Sequence, residues 1–132
     1  MPTDTTLDDL ADEKFVSLTT FRKNGVGVPT PVWVGHDGDA LVVSTPAGSG
    51  KVKRLRHNRV VELRPCSRRG TVDADAPVVT AVAEVIEGDG VMRRLDDVLG
   101  AKYSLEYRVV MGIERLLRRG APQRVMLRIT PV

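Results

Sequence analysis

Short apolar stretches, many of them alternating with polar residues, are separated by turn-forming residues along the first half of the chain. Residues 15–21 and 26–34 alternate, and apolar runs follow at 41–44 and 60–63. Asn24-Gly25 lies between the first two stretches, and this dipeptide supplies the positive φ angles of a tight hairpin turn. Four β elements joined by such turns predict an antiparallel meander or barrel and exclude a parallel dinucleotide-binding fold.

The second half of the chain adds helices and two further strands. Residues 78–87 are apolar on both faces, as expected of a central strand. Helical spacing predicts one helix over 91–99, capped by Asp89, and a second over 105–119 that ends at the break of residues 120–122. A last strand begins near Arg124. The prediction is a mainly β, single domain over residues 1–132, with helices at 1–13 and within 91–119 flanking the barrel.

The N-terminal helix and the second strand each carry a specific local signal. Thr6 to Asp9 resembles a capping box, which predicts a short helix start. Pro29 and Pro31 occupy alternate positions of the second strand, where each removes a backbone N–H, so the strand is predicted to be an edge or to be interrupted. Trp33 follows on the same face, either as a half-buried core ring or as a wall beside a planar ligand.

The most informative stretch is a loop of small residues that opens a basic helical turn. Glycine permits close approach of a ligand to the backbone, hydroxyls donate hydrogen bonds, and cationic side chains add full charge, so the loop predicts a phosphate-binding site. The residues concerned are Ser44, Thr45, Ser49, Gly50, Lys51, Lys53 and Arg54. The alternative is that residues 51–59 form only the solvated face of a short helix with Val52 and Leu55 turned to the core.

This loop does not match the phosphate-binding loop of nucleoside triphosphatases, although Gly-Ser-Gly-Lys resembles the end of that motif. That motif needs glycine at its first position and a hydroxyl residue after the lysine, and this chain has Thr45 and Val52 there. Without that hydroxyl the loop offers no ligand for Mg²⁺. These residues therefore argue against an NTPase.

Composition and charge narrow the class of protein further. The chain has 132 residues, 42% of them apolar, and a net charge of +3, but residues 51–69 alone carry +7. None of the five aromatic residues lies in that basic window, which argues against nucleic acid as the partner.

There is no apolar run long enough to span a membrane and no signal-type segment, so a cytoplasmic location is expected. A single cysteine, Cys66, and two separated histidines predict no metal site.

The motifs in order resemble a known family. The chain reads Leu-Thr-Thr-Phe from residue 18, Pro-Thr-Pro-Val-Trp from 29, Val-Val-Ser-Thr-Pro from 42 and Ser-Gly-Lys-Val-Lys-Arg-Leu-Arg-His-Asn from 49, followed by a valine-rich strand ending in Pro-Cys. This order is similar to the split β-barrel flavin- and deazaflavin-dependent oxidoreductases related to pyridoxamine-phosphate oxidase. Within them it most resembles the actinobacterial branch that uses coenzyme F420.

The resemblance implies a fold, an assembly and a set of contacts. The fold would be an antiparallel six-stranded Greek-key split barrel, forming a homodimer with cofactor sites at the subunit interface. Lys51 would match the phosphate-binding lysine, and the turn of residues 66–70 would approach the site from the same or the partner subunit. The residues matching the strands beside the cofactor ring are Thr30, Pro31, Val32, Trp33, Ser44 and Thr45.

The resemblance also implies the chemistry. A reduced deazaflavin would deliver a hydride to a small organic acceptor, and no catalytic residue is assigned because the cofactor carries the chemistry. FMN is the alternative cofactor. A non-catalytic protein that holds F420, FMN or haem would share the same motifs, and a nucleic-acid-binding module is the third possibility.

Overall fold

The strands and helices alternate in a pattern that builds one antiparallel sheet. In a computed structural model, described here for residues 6–88, 90–117 and 124–132, seven strands and three helices follow one another along the chain. They are α1 (Leu7–Ala11), β1 (Val16–Phe21), β2 (Gly27–Val32), β3 (Gly35–Asp37), β4 (Ala40–Pro46), α2 (Gly50–Leu55), β5 (Val60–Pro65), β6 (Val79–Ile86), α3 (Val91–Leu117) and β7 (Arg124–Pro131).

The order of strands in the sheet shows that it curls. The order is β2-β1-β5-β6-β7-β4-β3, so the two outermost strands, β2 and β3, are consecutive along the chain. Only Trp33 and Val34 separate them, and three Cα steps of about 3.8 Å bring the two edges close together. The sheet therefore bends round into a barrel whose seam lies at Trp33 and Val34. The predicted class, mainly β with flanking helices, is confirmed.

Local signals at the first hairpin and at the N-terminus are confirmed. Gly25 has a φ of 87° in the turn between β1 and β2, which pair antiparallel. Thr6 accepts a hydrogen bond from the backbone of Asp9 and donates its own backbone N–H to the Asp9 carboxylate, completing the capping box. Residues that are close in sequence were sufficient to predict both the hairpin and the helix start.

The predicted count of six strands was one too low. Residues 26–34 do not form one strand, because β2 ends at Val32 and a separate strand, β3, begins at Gly35 and pairs with β4. The residues His36-Asp37-Gly38-Asp39 are by composition typical of a turn alone. β3 has three residues, too few for an alternating pattern to show, and its pairing follows from the two-residue turn at Gly38 and Asp39.

Two apolar clusters lie on the two faces of the sheet. The larger fills the barrel and includes Leu18, Leu63 and Leu127, together with residues of α1 and α2. These short helices cover opposite ends of the barrel: Asp8 of α1 contacts His36 in β3, whereas α2 lies beside the far end of β1. The second cluster lies between the outside of the sheet and α3.

The structure corrects the prediction of two helices in the second half. One continuous helix, α3, spans Val91–Leu117, and its buried residues recur at every fourth position: Val91, Leu95, Leu99, Tyr103, Tyr107 and Met111. Gly100 and the polar residues after it disguised the continuity of this stripe. Asp89 and residues 120–122, predicted as a cap and a break, lie outside the described residues.

Among the residues that the structure describes, no helix combines the length and apolar character needed to cross a membrane.

Candidate functional site

An open cavity of about 420 Å³ lies outside the barrel, between the seam and α3. This volume is within the range of small-ligand sites. Its walls come from the seam, the end of β4, the start of α2, the turn after β5 and the inner side of α3. The lining residues are Phe15, Pro31, Val32, Trp33, Ser44, Thr45, Pro46, Lys51, Arg68, Leu99, Glu106, Tyr107, Val110, Met111 and Arg124.

One end of the cavity is cationic and rich in hydroxyl groups. Arg124, at the start of β7, donates from Nε to Ser44 Oγ at 2.6 Å and from a terminal nitrogen to the Ser44 carbonyl at 3.1 Å. Thr45, which is buried, shares a hydrogen bond of 3.2 Å with Ser49. Lys51 projects from α2 into the same end. The β4–β7 pairing is what brings Arg124, far along the chain, beside Ser44.

The Lys51 ammonium group is in an environment that disfavours its charge. Partial burial lowers its pKa, and the positive charges of Arg54 and Arg124 lower it further. Among the described residues, no side chain forms an ion pair or a hydrogen bond with Lys51. A half-buried cation repelled by its neighbours is stabilised when an anion binds, so this end of the cavity fits a phosphate group.

Aromatic side chains form the wall between the two ends of the cavity. The ring of Trp33 stacks on Tyr103 with centroids 4.9 Å apart, and Tyr107 lies 6.0 Å from Trp33. The Tyr107 hydroxyl donates to Asp96 at 2.8 Å, which fixes the position of its ring. Trp33 is thus a ring at the rim of the second apolar cluster and also part of the cavity wall, and the two interpretations offered by the sequence coexist.

The backbone of the seam is held by side chains of α3. Val34 N–H donates to the Tyr103 hydroxyl at 3.1 Å, and that hydroxyl is within donating distance of the carbonyls of Lys14 and Val34. Lys102 donates to the carbonyls of Ala11, Glu13 and Val34 at 2.6 to 2.8 Å. These contacts fix the position of Trp33 in the wall.

The end of the cavity opposite Lys51 is built from an ion cluster. Glu106 of α3 accepts from Arg68 at 2.7 Å and pairs with Lys14 at 3.2 Å. The Arg68 guanidinium also lies 5.7 Å from the centre of the Phe15 ring. The turn of residues 66–70 thus reaches the cavity within the same chain.

The structure brings together about half of the residues predicted to bind a cofactor. The predicted residues that line the cavity are Pro31, Val32, Trp33, Ser44, Thr45 and Lys51. Those outside its lining are Thr30, Ser49, Gly50, Lys53 and Arg54.

Their contacts explain why the second group is turned away. Arg54 folds over the start of α2 and donates to Thr20 at 2.6 Å, and a Cβ on Gly50 would lie 2.7 Å from the Arg54 guanidinium. Gly50 therefore makes room for Arg54, whereas the sequence had suggested room for a ligand. Thr30 is 3.5 Å from the Leu18 carbonyl across the hairpin, and Lys53 is exposed. With only six residues, α2 also has a small dipole.

Sequence reasoning missed the residues that come from β7 and α3. Arg124 looked like part of the polar face of a last strand, and Tyr107 and Met111 looked like ordinary helix residues. Their place in the cavity depends on strand register and on the path of α3, which no local pattern encodes. For Tyr107, its spacing of four residues from Tyr103 was the only available signal.

The described residues contain no group of three or more His, Cys, Asp or Glu side chains placed to hold a metal ion. Cys66 is half-buried, and burial together with the nearby Glu13 charge raises the pKa of its thiol, which disfavours the reactive thiolate.

Comparison with known proteins identifies the family. The sequence profile of the pyridoxamine 5'-phosphate oxidase family matches residues 3–132. The chain belongs to this family. No curated protein matches the sequence.

Solved structures share the fold of this pyridoxamine 5'-phosphate oxidase family member at low sequence identity. A conserved hypothetical protein from Mycobacterium tuberculosis has 20% identity and a TM-score of 0.67, over 94% of this chain and 76% of that one. An F420 reductase has 17% identity and a TM-score of 0.61, over 100% and 96% of the two chains. HutZ, the haem storage protein of Vibrio cholerae, has 14% identity and a TM-score of 0.64, over 92% and 83%.

Proposed function

We propose that this family member binds coenzyme F420 in the cavity and acts as an oxidoreductase that transfers a hydride between the reduced cofactor and a small organic acceptor. The observation that carries the proposal is the cavity itself, with the half-buried Lys51 ammonium and the Arg124 guanidinium at one end and the Trp33–Tyr107 wall beside it. Phosphate requires the first feature and a planar ring the second. FMN has the same two parts and is the alternative cofactor.

The residues that line the cavity would have different roles, set by where each one lies. Lys51 and Arg124 would hold the phosphate, and Arg124 would keep Ser44 in place through its Nε hydrogen bond. Trp33 and Tyr107 would orient the ring and exclude water from one of its faces. When bound, the reduced deazaflavin supplies the hydride.

A turnover assay separates an enzyme from a binding protein. Protein is mixed with reduced F420 and a panel of quinones and enones, and cofactor oxidation is followed by its absorbance. We expect acceptor-dependent oxidation above the rate without protein. Cofactor binding without any turnover would instead favour a non-catalytic carrier.

Haem is a weaker candidate, although a haem storage protein shares the fold. Haem iron in proteins is most often held by a histidine, a cysteine, a methionine or a tyrosine. His36, His57 and Cys66 do not line the cavity. Met111 and Tyr107 do, but the Tyr107 hydroxyl already donates to Asp96.

We also propose that the protein is a homodimer that pairs through the outer face of α3. Leu105, Val109, Val110 and Ile113 are exposed there by 42 to 73%. Val110 also lines the cavity, so a second copy on this face would cover the open side of the site. This matches the interface position that the family resemblance implies.

Sedimentation equilibrium tests the assembly. We expect a mass of twice 14.4 kDa for the unmodified protein and a monomer for Val109→Lys. Val78→Lys, at an exposed valine beside β6, is the matched control and should stay dimeric. A monomeric unmodified protein, or equal effects of the two substitutions, would contradict this interface.

A further inference from the structure

The cavity has a cation at each of its two ends. Lys51 and Arg124 lie where β4 ends and β7 begins, whereas Arg68 and Phe15 lie where β5 ends and β1 begins. In the antiparallel register, the start of β1 and the end of β5 are paired with each other, at the end of the barrel opposite to the end of β4. The cavity therefore runs along the barrel wall, and Arg68 is far from the proposed phosphate end.

The turn that carries Arg68 is fixed by its own hydrogen bonds. Gly70 N–H donates to the Ser67 carbonyl at 2.9 Å, and Thr71 N–H donates to Ser67 Oγ at 3.1 Å. Cys66 N–H donates to the Phe15 carbonyl at 3.2 Å, which anchors the turn to the start of β1. The guanidinium over the Phe15 ring is thus held at the cavity rather than on a freely moving loop.

Glu106 occupies the position that an anionic ligand of Arg68 would take. It is the one carboxylate among the lining residues of the cavity, and it accepts from Arg68 while also pairing with Lys14. Two cations therefore share one carboxylate, so this cluster keeps a net positive charge. The Arg68 side chain is 68% exposed, and an ion pair this accessible to water is readily exchanged.

We propose that Arg68 is a specificity-determining residue that selects an acceptor carrying a carboxylate group, and that Glu106 competes with that carboxylate for the Arg68 guanidinium. The inference deepens the proposed function, because the acceptor would sit between Arg68 and the ring held at Trp33. The ligand class is a small planar molecule with one carboxylate. A guanidinium binds that group through two parallel N–H donors, which a neutral amide of the same shape cannot match.

The test uses benzoate and benzamide as a matched charged and neutral pair. Trp33 is the only tryptophan of the chain and lines the cavity, so its fluorescence reports binding without a cofactor. We expect Glu106→Gln to lower the Kd for benzoate at least threefold and to leave that for benzamide unchanged. Arg68→Met should raise the benzoate Kd to the value for benzamide.

The two substitutions break the same ion pair, so a purely structural role for that pair would move the benzoate Kd in the same direction in both variants. Opposite shifts support the proposal, and shifts in the same direction overturn it. Arg69→Met, at the exposed neighbouring residue outside the cavity lining, is the matched control. An effect of Arg69→Met as large as that of Arg68→Met would also overturn the proposal.

The outcome is independent of the cofactor assignment. If the protein binds neither F420 nor FMN, the proposed function fails while the benzoate result stands by itself. If Lys51→Met abolishes the preference for benzoate and Arg68→Met does not, the carboxylate binds at the phosphate end and the role of Arg68 is refuted.

Discussion

At the scale of single residues, Lys51 is the side chain on which the candidate site depends. Its pKa is lowered by burial first and by Arg54 and Arg124 next, and a bound phosphate would raise it again. We therefore expect the affinity for a phosphate to be highest while Lys51 is protonated in the free protein. It should fall as the pH rises through the lowered pKa of Lys51, which lies below the ordinary lysine range. The phosphate monoester of FMN titrates near pH 6 and a phosphodiester well below that, so either group is fully charged throughout this window.

This pH dependence can be assigned to one residue. Lys51→Arg keeps a cation that does not titrate, so the alkaline fall in F420 affinity should flatten. Lys53→Arg, on the same helix and outside the cavity lining, should retain the full fall. Titrations at several alkaline pH values check this, and an unchanged fall in Lys51→Arg would show that another group titrates.

Lys51 should lower the thermal stability of the protein when no anion is bound. The pKa of Lys51 is lower in the folded than in the unfolded chain, so burying the charged ammonium lowers the free energy of unfolding. This loss is complete at pH values below the pKa of the folded state, and it disappears as the pH rises towards the pKa of the unfolded state. Lys51→Met should raise Tm near neutral pH and weaken cofactor binding. The gain in Tm should shrink in alkaline buffer, and a lower Tm at neutral pH would contradict the environment described for Lys51.

The sequence identified Lys51 but not its partners, for a physical reason. A lysine after small residues and glycine at a helix start is visible within ten residues. Arg124 reaches Ser44 only through the β4–β7 register, and Arg54 turns towards Thr20 through a contact with β1. Charges adjacent in sequence were expected to bind the same ligand, but of these only Lys51 lines the cavity, whereas the Arg54 guanidinium is held by Thr20.

At the scale of elements, the approach of α3 to β3 depends on Gly35. A Cβ there would lie 2.9 Å from Leu99 Cδ2 and would also clash with Val98 Cγ1. We expect Gly35→Ala to lower the free energy of unfolding by about 1–3 kcal/mol, as overpacking does. Urea denaturation measures this.

Gly112→Ala provides the contrast within α3. A Cβ at Gly112 meets nothing within 4 Å, so alanine should stabilise the helix by about 0.5–1 kcal/mol. A neutral Gly35→Ala would mean that α3 lies farther from β3 than described.

The seam depends on the Tyr103 hydroxyl. Tyr103→Phe keeps the stack on Trp33 but leaves the N–H of buried Val34 without the acceptor it has in the structure. Loss of a buried hydrogen bond costs about 1–3 kcal/mol. Urea denaturation should show this loss, and hydrogen exchange at Val34 should accelerate with Trp33 fluorescence little changed. Unchanged exchange at Val34 would contradict this role of Tyr103.

Element types were predictable where the signal is short-range. The capping box at Thr6 and the Asn24-Gly25 hairpin needed only neighbouring residues. The sequence predicted two helices in place of α3, because the pattern of apolar residues that face the sheet weakens around Gly100. Packing of Leu99 and Tyr103 against the sheet and the seam keeps the helix continuous there, and tertiary contacts of this kind are absent from any local window.

At the scale of the whole molecule, closure of the sheet creates the site. The seam at Trp33 and Val34 joins the two edges of the barrel, α3 crosses outside it, and the cavity forms between them. The sequence predicted the barrel and its helices, because several short strands joined by tight turns leave few other folds. It could not predict the cavity, since the walls come from segments as far apart in the chain as Phe15 and Arg124.

The whole proposal requires that this cavity binds a phosphorylated deazaflavin or flavin through Lys51. Parallel calorimetric titrations with F420 and FMN, on the unmodified protein, Lys51→Ala and Lys53→Ala, test it most directly. A charge-assisted hydrogen bond contributes roughly 1.5–3 kcal/mol, so we expect saturable binding of F420 that weakens about tenfold or more in Lys51→Ala and is unchanged in Lys53→Ala. An unmodified protein that binds neither compound, or equal affinities in all three proteins, would contradict it.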